Sequence, residues 1–252
     1  MYKKARLLIA GDCAITVEFG NRINPLINRK VVSFREVLEE KRPYGYLESV
    51  PSYRSVLVYF DSDKVYPDEF CAVLSRIIEN LAISRREKAR LQIIPVCYGG
   101  DFGPDLPFVS KNSGLSVEEV IELHCSADYL IYMLGFTPGY PYMGGLDERL
   151  SMPRLDTPRK SVPAGTVAIA GNQTGIYSLP SPGGWRLLGK TPLSLFNPKN
   201  DPPALLKAGD YVRFRAVDKQ EYLRLETAVI AGEDILETRE INRSEVDGDT
   251  DS

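Results

Sequence analysis

The side chains in this sequence that are best suited to chemistry lie in a stretch rich in glycine and proline. Residues 135–192 hold 10 of the 20 glycines and 8 of the 18 prolines. Glycine lets backbone approach a ligand closely and proline fixes the shape of a loop, so this composition predicts a rigid, loop-built site. Barrel corners that bind no ligand are the alternative explanation.

Positive charge is concentrated in the same stretch. Between residues 151 and 190, one acidic residue, Asp156, is outnumbered by five basic ones, although the whole chain has a net charge of −3. Arginine can hold a carboxylate or phosphate through two parallel hydrogen bonds, and lysine adds a point charge. The cluster predicts an anionic ligand, while solvated surface charge would explain any single member. The basic residues are Arg154, Arg159, Lys160, Arg186 and Lys190.

His124 is the one histidine and the natural candidate for proton transfer near neutral pH. It follows Val117 by seven residues and Ile121 by three, which places it on the apolar face of a predicted helix. At such a position, a buried histidine whose hydrogen bonds are satisfied within the core is more common than a catalytic one. There is no second histidine with which it could share a metal, and no metal site is predicted.

The cysteines and glycine-rich segments match no standard site. Cysteines 13, 71, 97 and 125 form no C-x-x-C pair, so we predict reduced thiols without zinc or disulfides. Residues 171–175 and 181–185 are rich in glycine, but neither is a P-loop or a dinucleotide-binding fingerprint. Any ATP is therefore bound in an unconventional way or by another chain. Trp185, the sole tryptophan, could stack on a ligand ring or anchor the core.

The first 88 residues predict a small α+β domain. Apolar runs at residues 5–10 and 14–19 suit a strand pair, and 55–60 reads as a buried strand. Asn24 can cap a helix that begins at Pro25, and Pro67 opens a second helix. The polar, basic segment 84–90 is the predicted junction.

Residues 89–235 predict a β-barrel domain with few helices. Ser116 and Glu119 form a capping box, so a helix should begin at Val117. Residues 92–97 read as a strand, and short runs separated by turns then suit the strands of a barrel or sandwich. These runs are 166–170, 175–179, 185–190, 211–216 and 222–228. Residues 236–252 are expected to form an acidic, disordered tail.

Overall composition excludes several classes of protein. The 252 residues are 43% hydrophobic and 26% charged, which is typical of globular proteins. The acidic balance gives no general attraction to nucleic acid or to an anionic membrane. The apolar run that follows Lys3, Lys4 and Arg6 covers only residues 7–10, too few for a signal peptide, and no segment reaches the length of a membrane span. We therefore predict a cytoplasmic protein.

Several motifs, read together, resemble one known family. They are G-F-T-P-G-Y-P-Y-M-G-G-L-D at 135–147, P-R at 153–154, T-P-R at 157–159, V-P-A-G-T-V-A-I-A-G at 162–171, Q-T-G-I-Y at 173–177 and S-P-G-G-W-R-L-L-G-K-T-P at 181–192. The family is that of the 5-oxoprolinase B subunit, also called allophanate hydrolase subunit 1 or KipI-like. The similarity covers roughly residues 5 to 230. Thr137, Tyr140 and Lys190 depart from the usual residues, and Lys190 loses the bidentate geometry of arginine.

The resemblance implies a fold, a reaction and partners. The fold is α+β, with an N-terminal α+β domain followed by a cyclophilin-like barrel. The reaction is ATP-dependent cleavage of 5-oxo-L-proline to L-glutamate, carried out with the C and A subunits of 5-oxoprolinase. ATP would be a cosubstrate rather than a tightly bound cofactor, and Mg²⁺ is the candidate metal ion that would bind with it.

The same resemblance suggests roles for individual residues. The candidate substrate-binding residues include three arginines for the carboxylate or phosphates, and His124 is the candidate acid/base. Trp185 joins the substrate-binding set, and four other residues would supply hydrogen bonds. The arginines are Arg154, Arg159 and Arg186, and the hydrogen-bonding residues are Gln173, Thr174, Tyr177 and Ser181.

Two other functions stay open on the sequence. A KipI-type inhibitor that binds a sensor histidine kinase, without chemistry of its own, would carry the same motifs. Prolyl isomerase activity is the third possibility, because the cyclophilin-like fold alone does not decide function.

Overall fold

A computed structural model describes residues 2–83 and 88–243, and the chain divides into two compact units, Met1–Arg86 and Glu87–Ser252. Residues 84–87 of the predicted junction lie outside the described residues, and Lys88 already belongs to the first strand of the second unit.

The first unit is a four-stranded antiparallel sheet with two helices. The elements are β1 (Arg6–Ile9), β2 (Ala14–Glu18), α1 (Pro25–Lys41), β3 (Tyr46–Pro51), β4 (Ser55–Phe60) and α2 (Pro67–Glu79), with strand order β1-β2-β4-β3. Asn24 Oδ1 accepts hydrogen bonds from the backbone N–H groups of Leu26 and Ile27, at 2.9 and 3.3 Å, which confirms the predicted start of α1. Apolar residues of both helices pack against the buried face of the sheet.

The second unit contains the remaining elements. They are β5 (Lys88–Tyr98), α3 (Leu106–Ser113), α4 (Val117–Ser126), β6 (Tyr129–Leu134), β7 (Pro141–Gly144), a 3-10 turn (Glu148–Leu150), β8 (Arg159–Val162), β9 (Thr166–Ala170), β10 (Gln173–Ile176), β11 (Ser181–Gly183), β12 (Arg186–Lys190), β13 (Tyr211–Val217), α5 (Lys219–Ile230) and β14 (Glu237–Asn242). The capping box of Ser116 and Glu119 is present at the start of α4, as predicted.

Seven of these strands close into a barrel. The order is β12-β9-β10-β7-β6-β13-β5, and β5 pairs with β12 to complete the ring. β14 adds to the other part of β5, while β8 and β11 form a separate two-stranded ribbon. The closed barrel confirms the predicted α+β fold with a cyclophilin-like domain.

Alternation along the barrel strands separates two apolar clusters. Val167 and Ile169 of β9 point into the barrel core, whereas Ala168 and Ala170 belong to a smaller cluster with Tyr177. Successive side chains of a strand face opposite sides of a sheet, so the smaller cluster lies on the outer face of the barrel wall. The wall itself therefore divides the barrel core from this outer cluster.

Two expectations for the second unit were wrong. Residues 222–228, predicted as a strand, lie within α5, where Asp218 accepts a hydrogen bond from the backbone N–H of Glu221 at 2.8 Å. Tyr222 and Leu225, three residues apart, are the buried residues of that helix, a spacing typical of one helical face. Residues 237–242 form β14 instead of part of a tail, while residues 244–252 lie outside the described residues. No helix in the described parts of the chain has the length and apolar character needed to cross a bilayer.

Candidate functional site

A cavity of about 300 Å³ lies beside the outer cluster of the barrel. Half of the described lining residues are aromatic, and Arg154 is the one charged residue among them. Every lining residue falls in the glycine- and proline-rich stretch. The lining is Phe136, Tyr140, Tyr142, Arg154, Pro158, Tyr177, Pro182, Gly183, Gly184 and Trp185. A groove of about 320 Å³ in the first unit, lined in part by Lys3, Lys4 and Lys30, contains none of the residues singled out by sequence.

Tyr140 is the centre of the aromatic wall. Its ring centroid lies 5.0 Å from that of Tyr142, 5.6 Å from Tyr177 and 6.1 Å from Trp185. The contacts with Tyr177 and Trp185 are edge-to-face, an arrangement favoured by the ring quadrupoles. Burial raises the pKa of the Tyr142 and Tyr177 phenols, so both stay neutral at pH 7. The aromatic part of the pocket lining is thus uncharged at pH 7.

Two glycines make room for the tyrosine rings. A Cβ at Gly175 would stand 2.6 Å from the Tyr140 hydroxyl oxygen, and one at Gly183 would stand 2.1 Å from that of Tyr177. Both distances are shorter than real Cβ contacts, so any side chain at these positions would push a ring aside. We predicted that glycine lets backbone approach a ligand; at these two positions it lets backbone approach the wall of the pocket.

The loop that carries Arg154 is fixed on both sides. The Gly171 N–H donates to Met152 O at 2.7 Å, and the Leu155 N–H donates to Gly184 O at 2.7 Å. The Arg154 guanidinium carbon lies 6.0 Å from the Trp185 ring centroid. Arg154 is exposed and has no carboxylate partner among the described residues. It can therefore receive an anion that enters the aromatic pocket.

The structure does not bring the other predicted arginines into the pocket. Arg159 holds both carboxylate oxygens of Asp105, at 2.8 and 2.9 Å, and also donates to Trp185 O at 3.2 Å. Arg186 lies 3.8 Å from the Phe108 ring centroid and donates to Pro153 O at 3.2 Å. Both arginines therefore hold the frame of the pocket in place.

Of the predicted hydrogen-bonding residues, only Tyr177 lines the cavity. Ser181 precedes the lining residue Pro182, and its buried hydroxyl has no hydrogen-bond partner within the described chain. Gln173 is half-buried on β10 and Thr174 is fully buried on the same strand. Trp185 is both buried and part of the lining, so it anchors the wall while presenting a ring to the pocket.

His124 lies on the opposite side of the barrel wall. Its Nε2 is 2.9 Å from Thr174 Oγ1, and its ring stacks on Phe214 with centroids 4.5 Å apart. Thr174 and Gly175 are consecutive on β10, so the histidine contacts the inner face of the strand whose outer face carries the pocket. This position favours the core role over proton transfer, and catalysis by His124 stays a prediction.

The hydrogen bonds of His124 define its tautomer. The Thr174 hydroxyl donates to Ala168 O at 3.3 Å, so it accepts from His124 Nε2–H. Nδ1 then accepts from the Tyr98 hydroxyl at 2.7 Å. Burial lowers the pKa of His124 from 6.5 to about 3, so the ring is neutral at physiological pH.

Comparison with known proteins agrees with the fold and the motifs. Residues 5–206 match the model of the carboxyltransferase domain, subdomain C and D. The chain is 44% identical over 222 residues to the 5-oxoprolinase B subunit of Bacillus subtilis, covering 84% of this chain and 92% of that protein. With the 5-oxoprolinase B subunit of Escherichia coli O157:H7 it shares 38% identity over 212 residues, covering 84% and 96%. The chain belongs to the 5-oxoprolinase B-subunit family.

Solved structures support the same fold for this family member. TTHA0988 superposes with a TM-score of 0.71 at 38% identity, over 81% of this chain. The chain spans only 40% of the length of that protein. Urea carboxylase of Kluyveromyces lactis has a TM-score of 0.81 over 96% of this chain and 24% of that protein, and its 22% identity supports the fold alone.

Some lining residues were absent from the predicted set. Tyr140 and Tyr142 alternate along β7 and the turn before it, so two aromatic rings reach the same side. That alternation is readable in the motif at 135–147. The positions of Phe136 and Pro158 depend on loop geometry, for which the sequence carries no periodic signal.

Proposed function

We propose that this chain is the B subunit of an ATP-dependent 5-oxoprolinase, a hydrolase that opens 5-oxo-L-proline to L-glutamate together with its C and A subunits. Family membership supports the reaction class. The observation that carries the proposal is the aromatic pocket with one guanidinium, that of Arg154, which has no carboxylate partner in the described chain.

The shape and chemistry of the pocket suit this substrate. 5-Oxo-L-proline is a small ring with one carboxylate and one lactam amide. In the proposal its ring packs against Tyr140 and Trp185, and its carboxylate pairs with Arg154, an interaction that gains strength from its charge. The cavity, at about 300 Å³, lies at the small end of the range of ligand sites. Tyr142 and Tyr177 remain neutral and can donate hydrogen bonds to the lactam oxygen.

ATP supplies the driving force in this scheme. A lactam carbonyl is a poor electrophile, and transfer of the terminal phosphoryl group of ATP to its oxygen, with release of ADP, would activate the ring carbon. Attack by water would then break the ring C–N bond, with the nitrogen taking a proton, and a second water would release phosphate to give L-glutamate. The glycine-rich segments of this chain contain no known phosphate-binding loop, so we assign no part of ATP to the pocket. Among the described residues no group of three or more His, Cys, Asp or Glu side chains could hold a metal ion, and no step is assigned to Mg²⁺.

The C and A subunits are the proposed partners, and the proposed location is the cytoplasm. The test mixes the purified chain with its cognate A and C subunits and measures glutamate formed from 5-oxo-L-proline with and without ATP. We expect product only when all three proteins and ATP are present. Product that is independent of this chain, or absent from every mixture, would contradict the proposal. An inhibitor of a sensor histidine kinase would form no glutamate and would instead lower kinase autophosphorylation.

A further inference from the structure

Phe136 has a backbone conformation that bulky residues rarely adopt. Its φ is 65°, in the left-handed region, and the Thr137 N–H donates to Gly135 O at 2.8 Å across it. This bond spans two residues and closes a γ-turn of the rare form with positive φ, which strains a side chain at its centre. Glycine would occupy the same position without strain.

The surrounding loop maintains this conformation. The Gly135 N–H donates to Tyr140 O at 3.0 Å, and the Tyr140 N–H donates to Thr137 O at 3.1 Å. The Thr137 hydroxyl is also 3.0 Å from the Ser178 hydroxyl, next to the lining residue Tyr177. Strained residues persist where neighbouring bonds fix them, and they are concentrated at ligand sites.

Packing within the free chain does not account for the strain. The Phe136 side chain is 61% exposed, so it gains little from burial. Its ring contacts Tyr140 edge-on, with centroids 5.5 Å apart, and forms part of the cavity lining. The turn thus holds an exposed ring at the pocket, where only a further molecule would cover it.

We propose that Phe136 is a further substrate-binding residue, which packs against the ring of bound 5-oxo-L-proline. The inference rests on the proposed function and adds a contact that the sequence analysis did not predict. A flat apolar ring at the pocket favours a compact cyclic substrate because contact between two rings buries apolar area on both.

The test compares Phe136→Gly, Phe136→Tyr and a control, Leu223→Ala, in the reconstituted three-subunit enzyme. Leu223 is 48% exposed on α5 and does not line the cavity. For Phe136→Gly we expect the KM for 5-oxo-L-proline to rise at least about fivefold, because the variant loses the apolar contact between the phenyl ring and the substrate ring. Phe136→Tyr, which keeps an aromatic ring, should have a KM within about twofold of wild type, and Leu223→Ala should leave KM unchanged.

The thermal midpoint of the isolated chain separates this role from a structural one. Phe136→Gly should leave the midpoint unchanged or raise it, because glycine relieves the strain. An unchanged KM, or a raised KM with a lower midpoint, would overturn the inference. If KM stayed unchanged but Phe136→Gly needed more of the C subunit to reach half-maximal rate, the inference would also be overturned, because the ring would then contact a partner subunit. An inactive wild-type mixture would instead defeat the proposed function, and this inference with it.

Discussion

Protonation of His124 should destabilise the second unit as the pH falls. The folded-state pKa is about 3, below the ordinary value of 6.5, because burial disfavours the charged ring. Between these values the unfolded chain binds a proton that the folded chain does not. Stability is therefore complete above pH 6.5 and falls as the pH drops towards 3. Each pH unit in that window costs about 1.4 kcal/mol, or about 2 kcal/mol between pH 7.5 and 5.0.

Urea unfolding followed by Trp185 fluorescence measures this slope. Trp185 is the only tryptophan and lies in the same unit, and His124 is the only histidine. Above pH 5 most carboxylates are already ionised, so His124 dominates the side-chain titration in the window. A free energy of unfolding that stays within about 0.5 kcal/mol from pH 7.5 to 5.0 would refute the neutral, buried imidazole.

A variant without the imidazole provides the control. His124→Asn should lose the pH slope, because no titratable group remains at the site. It should also be less stable at pH 7.5, since Tyr98 and Thr174 each lose a hydrogen-bond partner in the core. Each lost hydrogen bond costs about 0.5–1.5 kcal/mol, because both hydroxyls keep a second partner. A slope that persists in His124→Asn would assign the titration to another group.

Two further substitutions test the frame of the pocket. Gly183→Ala should raise the KM for 5-oxo-L-proline several-fold, because its methyl group displaces the Tyr177 ring. Gly135→Ala is the control, because Gly135 does not line the cavity and the nearest atom to its added methyl group would be 3.7 Å away. Equal KM values in enzymes reconstituted with either variant would contradict the crowding argument. Asp105→Ala should lower the free energy of unfolding in urea by about 3 kcal/mol, because it leaves Arg159 unpaired beside the pocket. Glu237→Ala, which removes an exposed ion pair, should cost under about 1 kcal/mol. Similar losses in the two variants would contradict this ranking.

Local signals in the sequence were sufficient for most of the fold. Asn24, and Ser116 with Glu119, begin helices through bonds to neighbours within three residues, and such bonds are visible in the sequence. The helix at Lys219–Ile230 was missed because its aromatic and aliphatic residues also suit a strand. Its cap, Asp218 followed three residues later by Glu221, was the signal that could have identified it.

The site was less accessible from the sequence because its contacts are long-range. Arg159 pairs with Asp105, 54 positions away, and no sequence spacing predicts such an ion pair. Arg154 has no carboxylate partner in the described chain, although Asp156 is only two positions away in the sequence, so proximity along the chain did not reveal which arginine is paired. His124 is separated from the pocket because Thr174 and Gly175 face opposite sides of β10. The sequence could not show this separation, because it does not reveal that both faces of β10 are buried.

The KM for 5-oxo-L-proline of an Arg154→Gln enzyme, reconstituted with the A and C subunits, tests the central claim most directly. Lys160→Gln is the matched control, because Lys160 is exposed on β8 and does not line the cavity. Loss of a charge-assisted hydrogen bond, about 1.5–3 kcal/mol, predicts a KM about 10- to 150-fold above wild type for Arg154→Gln. An Arg154→Gln enzyme whose KM stays within about twofold of wild type would show that the substrate carboxylate binds elsewhere.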